Sequence, residues 1–131
     1  MSRVRGKDTT PEIKVRKVLH GLGYRFGLHA SDLPGKPDIV LRKRRTAIFV
    51  HGCFWHRHAG CRYATTPKSK VAFWRQKFET NMARDRRNAR QLRKSGWRVF
   101  VVWQCQTRDE RRLRRKLDGL MKRVEIDKAK A

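Results

Sequence analysis

Acidic residues are scarce in this sequence: 11 Asp and Glu stand against 35 Lys and Arg in 131 residues, a formal net charge of +24. The basic residues run through the whole chain instead of forming a tail. Self-repulsion on this scale favours a polyanionic partner, and a nucleic-acid backbone neutralises it while releasing condensed counterions. Long apolar runs are missing too, as are a signal-peptide core and a helix with a wide uninterrupted apolar face. A membrane surface is therefore the weaker partner, and a soluble, intracellular protein is expected. Cysteine is limited to Cys53, Cys61 and Cys105, which cannot all pair within one chain, so metal ligation is the better use for them. Internal repeats and linkers are absent, and the length suits one domain, residues 1–131, closed around one core.

Met1 to Asp8 is a short basic segment without apolar periodicity, expected to be a mobile arm that orders on DNA. Thr9-Thr10-Pro11-Glu12 reads as a helix start, with threonine as cap, proline in the first turn and Glu12 closing a capping box. The helix should run to about Gly21 and bury Ile13, Val18, Leu19 and Leu22. Tyr24 to Leu28 alternates like a half-buried strand. Asp38 to Leu41 and Thr46 to Val50 are short apolar runs joined by Arg42-Lys43-Arg44-Arg45, which predicts a basic-tipped hairpin. From Ser69 to Ser95 a helical stripe of Phe73, Phe78, Met82, Ala89 and Leu92 precedes a stop at Gly96. Trp97 to Trp103 is the clearest strand, and Asp109 to Val124 is a basic helix with Leu113, Leu117 and Leu120 on one face, residues 125–131 being expected to fray. The order helix, three strands, helix, strand, helix predicts an α/β fold with a mixed central sheet between helices.

Chemistry concentrates in His51-Gly52-Cys53-Phe54-Trp55-His56-Arg57-His58-Ala59-Gly60-Cys61, which holds two of the cysteines, while Cys105 follows the strong strand downstream. A loop carrying three nitrogen or sulfur ligands, closed by a fourth from a distant strand end, suits tetrahedral structural zinc. Three buried, inert cysteines are the bland alternative, but they leave the histidine cluster unexplained. Spacing does not choose between His56 and His58 as the fourth ligand. Asp38 opens an apolar strand directly after Leu33-Pro34-Gly35-Lys36-Pro37, so a carboxylate is placed where burial demands a partner. A magnesium ion bridging it to a substrate phosphate satisfies that demand; a turn cap is the simpler reading. His51 and His56 flank the end of the next strand, where an imidazole can deprotonate an attacking water. Glu12 and Asp85 are the remaining acidic candidates, each with a bland reading as helix cap or arginine partner. Phe54, Trp55 and Trp74 are the aromatics least easily assigned to the core, and such side chains can wedge between base steps.

Taken together, Thr9 to Glu12, Leu33 to Asp38, Phe49-Val50-His51-Gly52-Cys53-Phe54-Trp55-His56, Asn81 to Arg87 and Gly96 to Cys105 resemble the very-short-patch repair (Vsr) DNA mismatch endonucleases, over nearly the whole chain. The resemblance implies a divergent restriction-endonuclease-like fold of the PD-(D/E)xK type. It implies an enzyme that nicks one DNA strand 5′ to the thymine of a T:G mismatch left by 5-methylcytosine deamination. Here Phe49-Val50-His51 occupies the strand where the parent pattern carries Glu-x-Lys, Val50 replaces the family's threonine, and one residue is inserted between His58 and Cys61. The resemblance assigns Mg2+ to Asp38 and the backbone carbonyl of Val50 with Glu12 nearby, the attacking water to His56, and support of His51 to Asp85. It assigns Zn2+ to Cys53, His58, Cys61 and Cys105, and intercalation to Phe54, Trp55 and Trp74, with Met1 entering from the opposite groove. A monomer acting on mismatched double-stranded DNA follows, in the cytoplasm at a prokaryotic nucleoid, with mismatch-repair proteins and a DNA polymerase acting downstream. The alternatives are a nicking nuclease of other sequence specificity and a zinc-stabilised DNA-binding module without catalysis.

Overall fold

In the computed structural model, which describes residues 9–130, three helices flank one sheet. Met1 and the rest of the expected arm lie outside the described residues. Helix α1 (Thr10–Gly21) begins as read: the Thr9 hydroxyl accepts from Glu12 N at 3.4 Å and proline stands in the first turn. Its buried stripe, however, is Val15, Val18 and Leu19, with Leu22 packed alongside, while Ile13 is 37% exposed. At about 100° per residue, Val15 belongs to the i, i+3, i+4, i+7 face and Ile13 falls outside it. Glu12, three residues before Val15, lies on that same buried stripe.

Strands β1 (Gly27–Leu28), β2 (Ile39–Leu41), β3 (Thr46–His51) and β4 (Arg98–Trp103) form a sheet in that order. The first three are antiparallel, and β4 joins β3 in parallel after the crossover through helix α2 (Val71–Lys94). Of the strand expected over Tyr24 to Leu28 only the exposed pair Gly27 and Leu28 bonds to β2, although the half-buried alternation is there, with Tyr24 and Phe26 packed on the core beside α1 and Arg25 exposed between them. The period of two in β3 divides the core: Ile48 and Val50 face helices α1 and α3 (Glu110–Lys130), whereas Ala47 and Phe49 face α2 through Leu92. The basic hairpin tip is a 3-10 turn, Arg42–Arg44, closed by Arg45 in the left-handed conformation at φ 46°. It lies at the Thr46 end of β3, opposite His51, and Arg45 folds down on the start of β4: its carbonyl accepts from Arg98 N at 2.7 Å and its guanidinium donates to Ser95 O.

Helix α3 buries Leu113, Leu117, Met121 and Val124 and continues to Lys130 instead of fraying after Val124. Ion pairs Arg44–Glu125 and Arg98–Asp127 tie its last turns to the sheet. No helix of the described residues is long and apolar enough to cross a membrane. Leu117→Ala, which opens a cavity between α1 and α3, should cost about 2–5 kcal/mol by urea unfolding, whereas Ile13→Ala should cost less than about 1 kcal/mol. Equal losses would contradict the helix phase described here.

Candidate active site and metal cluster

The parallel pairing of β3 with β4 sets His51 beside Trp103 at one end of the sheet, and the chain leaves both strands there. After His51 it turns tightly, with His56 N donating to Gly52 O at 3.1 Å and His58 N to Cys53 O at 3.0 Å. After Trp103 a 3-10 turn, Gln104–Thr107, carries Cys105, whose N–H donates to Cys53 Sγ at 3.4 Å. His58 Nδ1 then stands 3.7 Å from Cys53 Sγ and 3.4 Å from Cys105 Sγ, and the ligand atoms of Cys53, His58, Cys61 and Cys105 all lie within 4.8 Å of one another. Tetrahedral zinc with sulfur at ~2.3 Å and nitrogen at ~2.1 Å needs ligand separations of about 3.6–3.8 Å. Burial pushes the Cys53 thiol up to about 12, so a cation is what would let it ionise. The amide of Tyr63 acts oppositely on Cys61 and lowers its pKa. The donor set and its spacing fit zinc.

His56 turns away from these sulfurs. Its Nδ1 is 2.6 Å from Asp85 Oδ2, so Nδ1 carries the proton of that hydrogen bond and Nε2 is the ring nitrogen turned away from Asp85. Asp85 comes from the middle of α2 on the stripe of Phe78, Met82, Ala89 and Leu92, seven residues after Phe78 and seven before Leu92. The resemblance had tied Asp85 to His51. The structure instead bonds it to His56, and His51 packs face to face on His56 with centroids 3.8 Å apart and planes at 7°. Burial, reinforced by the neighbouring His56, depresses His51 to about 4, so His51 is the neutral member of the stack at physiological pH.

Asp38 stands at the entrance of β2, and its Oδ2 accepts from Val50 N at 2.7 Å. The preceding turn is held by Gly35 at φ 76°, where a Cβ would come within 3.0 Å of Asn88 on α2, so the turn packs directly on that helix. Burial raises Asp38 from its ordinary 3.8 to about 6 against the opposing Val50 hydrogen bond, and the charge of Glu12 adds to the rise. Glu12, Asp38, Val50, His51, His56 and Asp85 line one cleft, to which α2 also contributes Arg84, Arg86, Arg90 and Arg93. Glu12 does more than cap its helix: its carboxylate, 2% exposed, pairs with Arg16 and lies 2.8 Å from His29 Nε2.

His29 was not visible as a site residue in the sequence. It adopts φ 47°, its N–H donates to Asp38 O at 3.1 Å, and with Glu12 and Asp38 it forms a second group able to hold a cation. Its left-handed backbone at the edge of the shortest strand is the only clue, and that is a structural one. The expected wedge residues come together as well. Phe54 is edge-on to Trp55 at 5.1 Å, to Trp74 at 5.9 Å and to Phe78 at 5.2 Å, and Trp55 reaches the cleft.

The sequence profile of the family described as "DNA mismatch endonuclease Vsr" matches residues 1–62. The chain is 55% identical over 122 residues to the type II nicking enzyme V.XorIIP of Xanthomonas oryzae pv. oryzae, covering 90% of this chain and 89% of that protein. The chain belongs to the Vsr family. It is also 39% identical to the DNA mismatch endonuclease Vsr of Escherichia coli, over 86% of this chain and 72% of that one. Among solved structures, the catalytic domain of the homing endonuclease I-Bth0305I shares the fold, with a TM-score of 0.60 at 19% identity over 89% of this chain and 98% of that domain. This Vsr-family protein is thus a DNA endonuclease with the mixed α/β, restriction-endonuclease-like core read from its sequence.

The strain at Asp38 gives a signed expectation. A carboxyl whose folded pKa is raised costs stability once ionised, so the cost is absent below pH 3.8, grows as pH rises and is complete above about 6. In chelator at pH 8, Asp38→Asn should therefore stabilise the fold by up to about 3 kcal/mol, an advantage that shrinks as pH falls from 6 to 4. A destabilised Asp38→Asn protein under these conditions would show that Asp38 is not held against its own ionisation.

Proposed function

We propose that this protein nicks one strand of duplex DNA on the 5′ side of the thymine in a T:G mismatch produced by deamination of 5-methylcytosine, initiating very-short-patch repair. The observation that carries the catalytic part is the conjunction, in one arginine-lined cleft, of a buried carboxylate at Asp38 with an imidazole oriented by Asp85. The mismatch specificity draws on the Escherichia coli relative, which is named a DNA mismatch endonuclease.

Mg2+ would be held by the Asp38 carboxylate and the Val50 carbonyl. In an extended strand the N–H and C=O of one residue point to the same side, and Val50 N–H already points to Asp38. The ion when bound supplies Lewis-acid polarisation of the scissile phosphate and neutralises its developing charge. His56 Nε2 takes a proton from the water as its oxygen attacks phosphorus, the bond from phosphorus to the departing sugar oxygen breaks and that oxygen takes a proton from solvent, and Asp85 stabilises the imidazolium through Nδ1. His51, neutral and stacked beneath, holds the ring plane without competing for that proton. Glu12 stands beside Asp38 to order water around the cation. Arginines of α2 grip the backbone, which carries no sequence information, so base selection falls to the Phe54, Trp55 and Trp74 wedge. Cys53, His58, Cys61 and Cys105 would hold zinc, which would keep the wedge loop shaped. The protein acts as a monomer at the bacterial nucleoid, and the nick it leaves is a start point for a DNA polymerase and accompanying repair proteins.

A second reading is favoured by one observation: several relatives, among them the 55% identical Xanthomonas protein and one from Neisseria meningitidis at 40%, are named type II nicking enzymes. The same site then serves a different flanking sequence. Strand nicking of end-labelled duplexes, one with a T:G mismatch and one with T:A, tests both readings. The expected result is magnesium-dependent cleavage next to the mismatched thymine only, lost in chelator and in Asp38→Ala while duplex binding persists. Equal nicking of both duplexes would overturn the mismatch assignment, and binding without any nicking would overturn the catalytic one.

A further inference from the structure

Four aromatic rings run without a gap from the metal cluster to the imidazole that faces the cleft. The indole of Trp103 lies flat on His58, with centroids 4.2 Å apart and planes at 9°. It meets His51 edge-on at 5.3 Å and 75°, and His51 lies flat on His56 at 3.8 Å and 7°. His58 presents Nδ1 to the cysteines, so a metal held by these donors would fix the orientation of its ring. Trp103 is half-buried and lines the cleft, and it is the β4 partner of His51, so its backbone is fixed by sheet pairing while its ring bridges two loops' worth of chemistry.

We propose that Trp103 is a positioning residue which transmits the geometry of the Cys53–His58–Cys61–Cys105 cluster to the His51–His56 pair, so that the cluster sets the stance of the proton acceptor as well as the fold of the loop. The proposal rests on the reading of His56 as that acceptor. The loop alone gives a different expectation. His56 and His58 are joined by only one intervening residue, so a change at His58 reaches His56 directly through the backbone. His51 is joined to the cluster twice, along the backbone through Gly52 to Cys53 and across space through Trp103 to His58, and only the second route is lost with the indole. Flat aromatic and imidazole faces tolerate sliding poorly when both sides are constrained, and a displacement of the reacting group by about 1 Å can cost on the order of 10²-fold in rate.

The test uses the whole protein loaded with zinc, and then with cadmium, a larger ion that accepts the same donors and so changes the cluster's dimensions while leaving it filled. Imidazole proton resonances of His51 report the coupling independently of activity. In the unsubstituted protein they should carry a ring-current shift from Trp103 and should move on zinc-to-cadmium exchange. In Trp103→Leu, with full metal content, the ring-current shift should vanish and the response of His51 to the exchange should weaken to what the backbone through Gly52 and Cys53 carries. The kcat for nicking should fall at least about tenfold with KM changed less than threefold, and Trp103→Phe, which keeps a flat ring, should restore both. His51 responding to cadmium as strongly in Trp103→Leu as in the unsubstituted protein would overturn the proposal, as would an unchanged kcat. If Trp103→Leu does not retain metal or fold, Trp103→Phe against Trp103→Met, an unbranched side chain that adapts to an irregular gap but has no flat ring, makes the same comparison. Failure of the unsubstituted protein to nick any duplex would instead count against the reading of His56 and leave the resonance measurement to decide the coupling.

Discussion

Fastening the 52–61 loop to the far end of β4 is the constraint on which the rest of the site depends. The loop has little regular structure of its own, and glycines at both its ends make it costly to order. Cys53 and Cys105 are 52 residues apart in the chain, yet the Cys105 N–H donates to Cys53 Sγ. This junction closes the loop over the end of the sheet, and a tetrahedral ion held by the four donors would tie loop to sheet more firmly than any contact between them. His56 reaches Asp85, and Phe54 and Trp55 reach α2, because the loop is held against that helix.

Around this junction the electrostatics run against the rest of the molecule. In a chain of net charge +24, Glu12, Asp38 and Asp85 are brought to one cleft, Glu12 almost wholly buried and Asp38 raised to about 6. A carboxylate in this position weakens the isolated fold once it ionises, a cost that a cation held beside it would relieve. The two histidines differ through environment alone: burial keeps His51 neutral, while Asp85 fixes the ring of His56 through Nδ1.

Much of the fold was legible in the sequence because the periodicities are clean. The runs in β3 and β4 alternate across the sheet, and α3 repeats apolar residues at helical spacing, which gave the mixed sheet between helices. The metal group was legible because every cysteine fell into one motif with His58, although spacing could not separate His58 from His56; that depends on Asp85 claiming His56 across 29 residues. The phase of α1 was misread by counting Ile13, yet the stripe through Val15 carries a signal in hindsight: an acid at Glu12 on a buried face marks a group held for chemistry or pairing. Asp85 on the buried stripe of α2 carries the same signal. His29 and Trp103 were illegible for a plainer reason. The role of each comes from contacts with residues distant in sequence, Glu12 and Asp38 for one, His51 and His58 for the other, which no local pattern encodes.

X-ray absorption at the zinc edge, on protein purified without added metal, tests the fastening of the loop most directly. The account predicts one zinc per chain in a shell of three sulfurs and one nitrogen, with His56 outside it. A shell of two sulfurs and two nitrogens, or a folded protein without zinc, would contradict it.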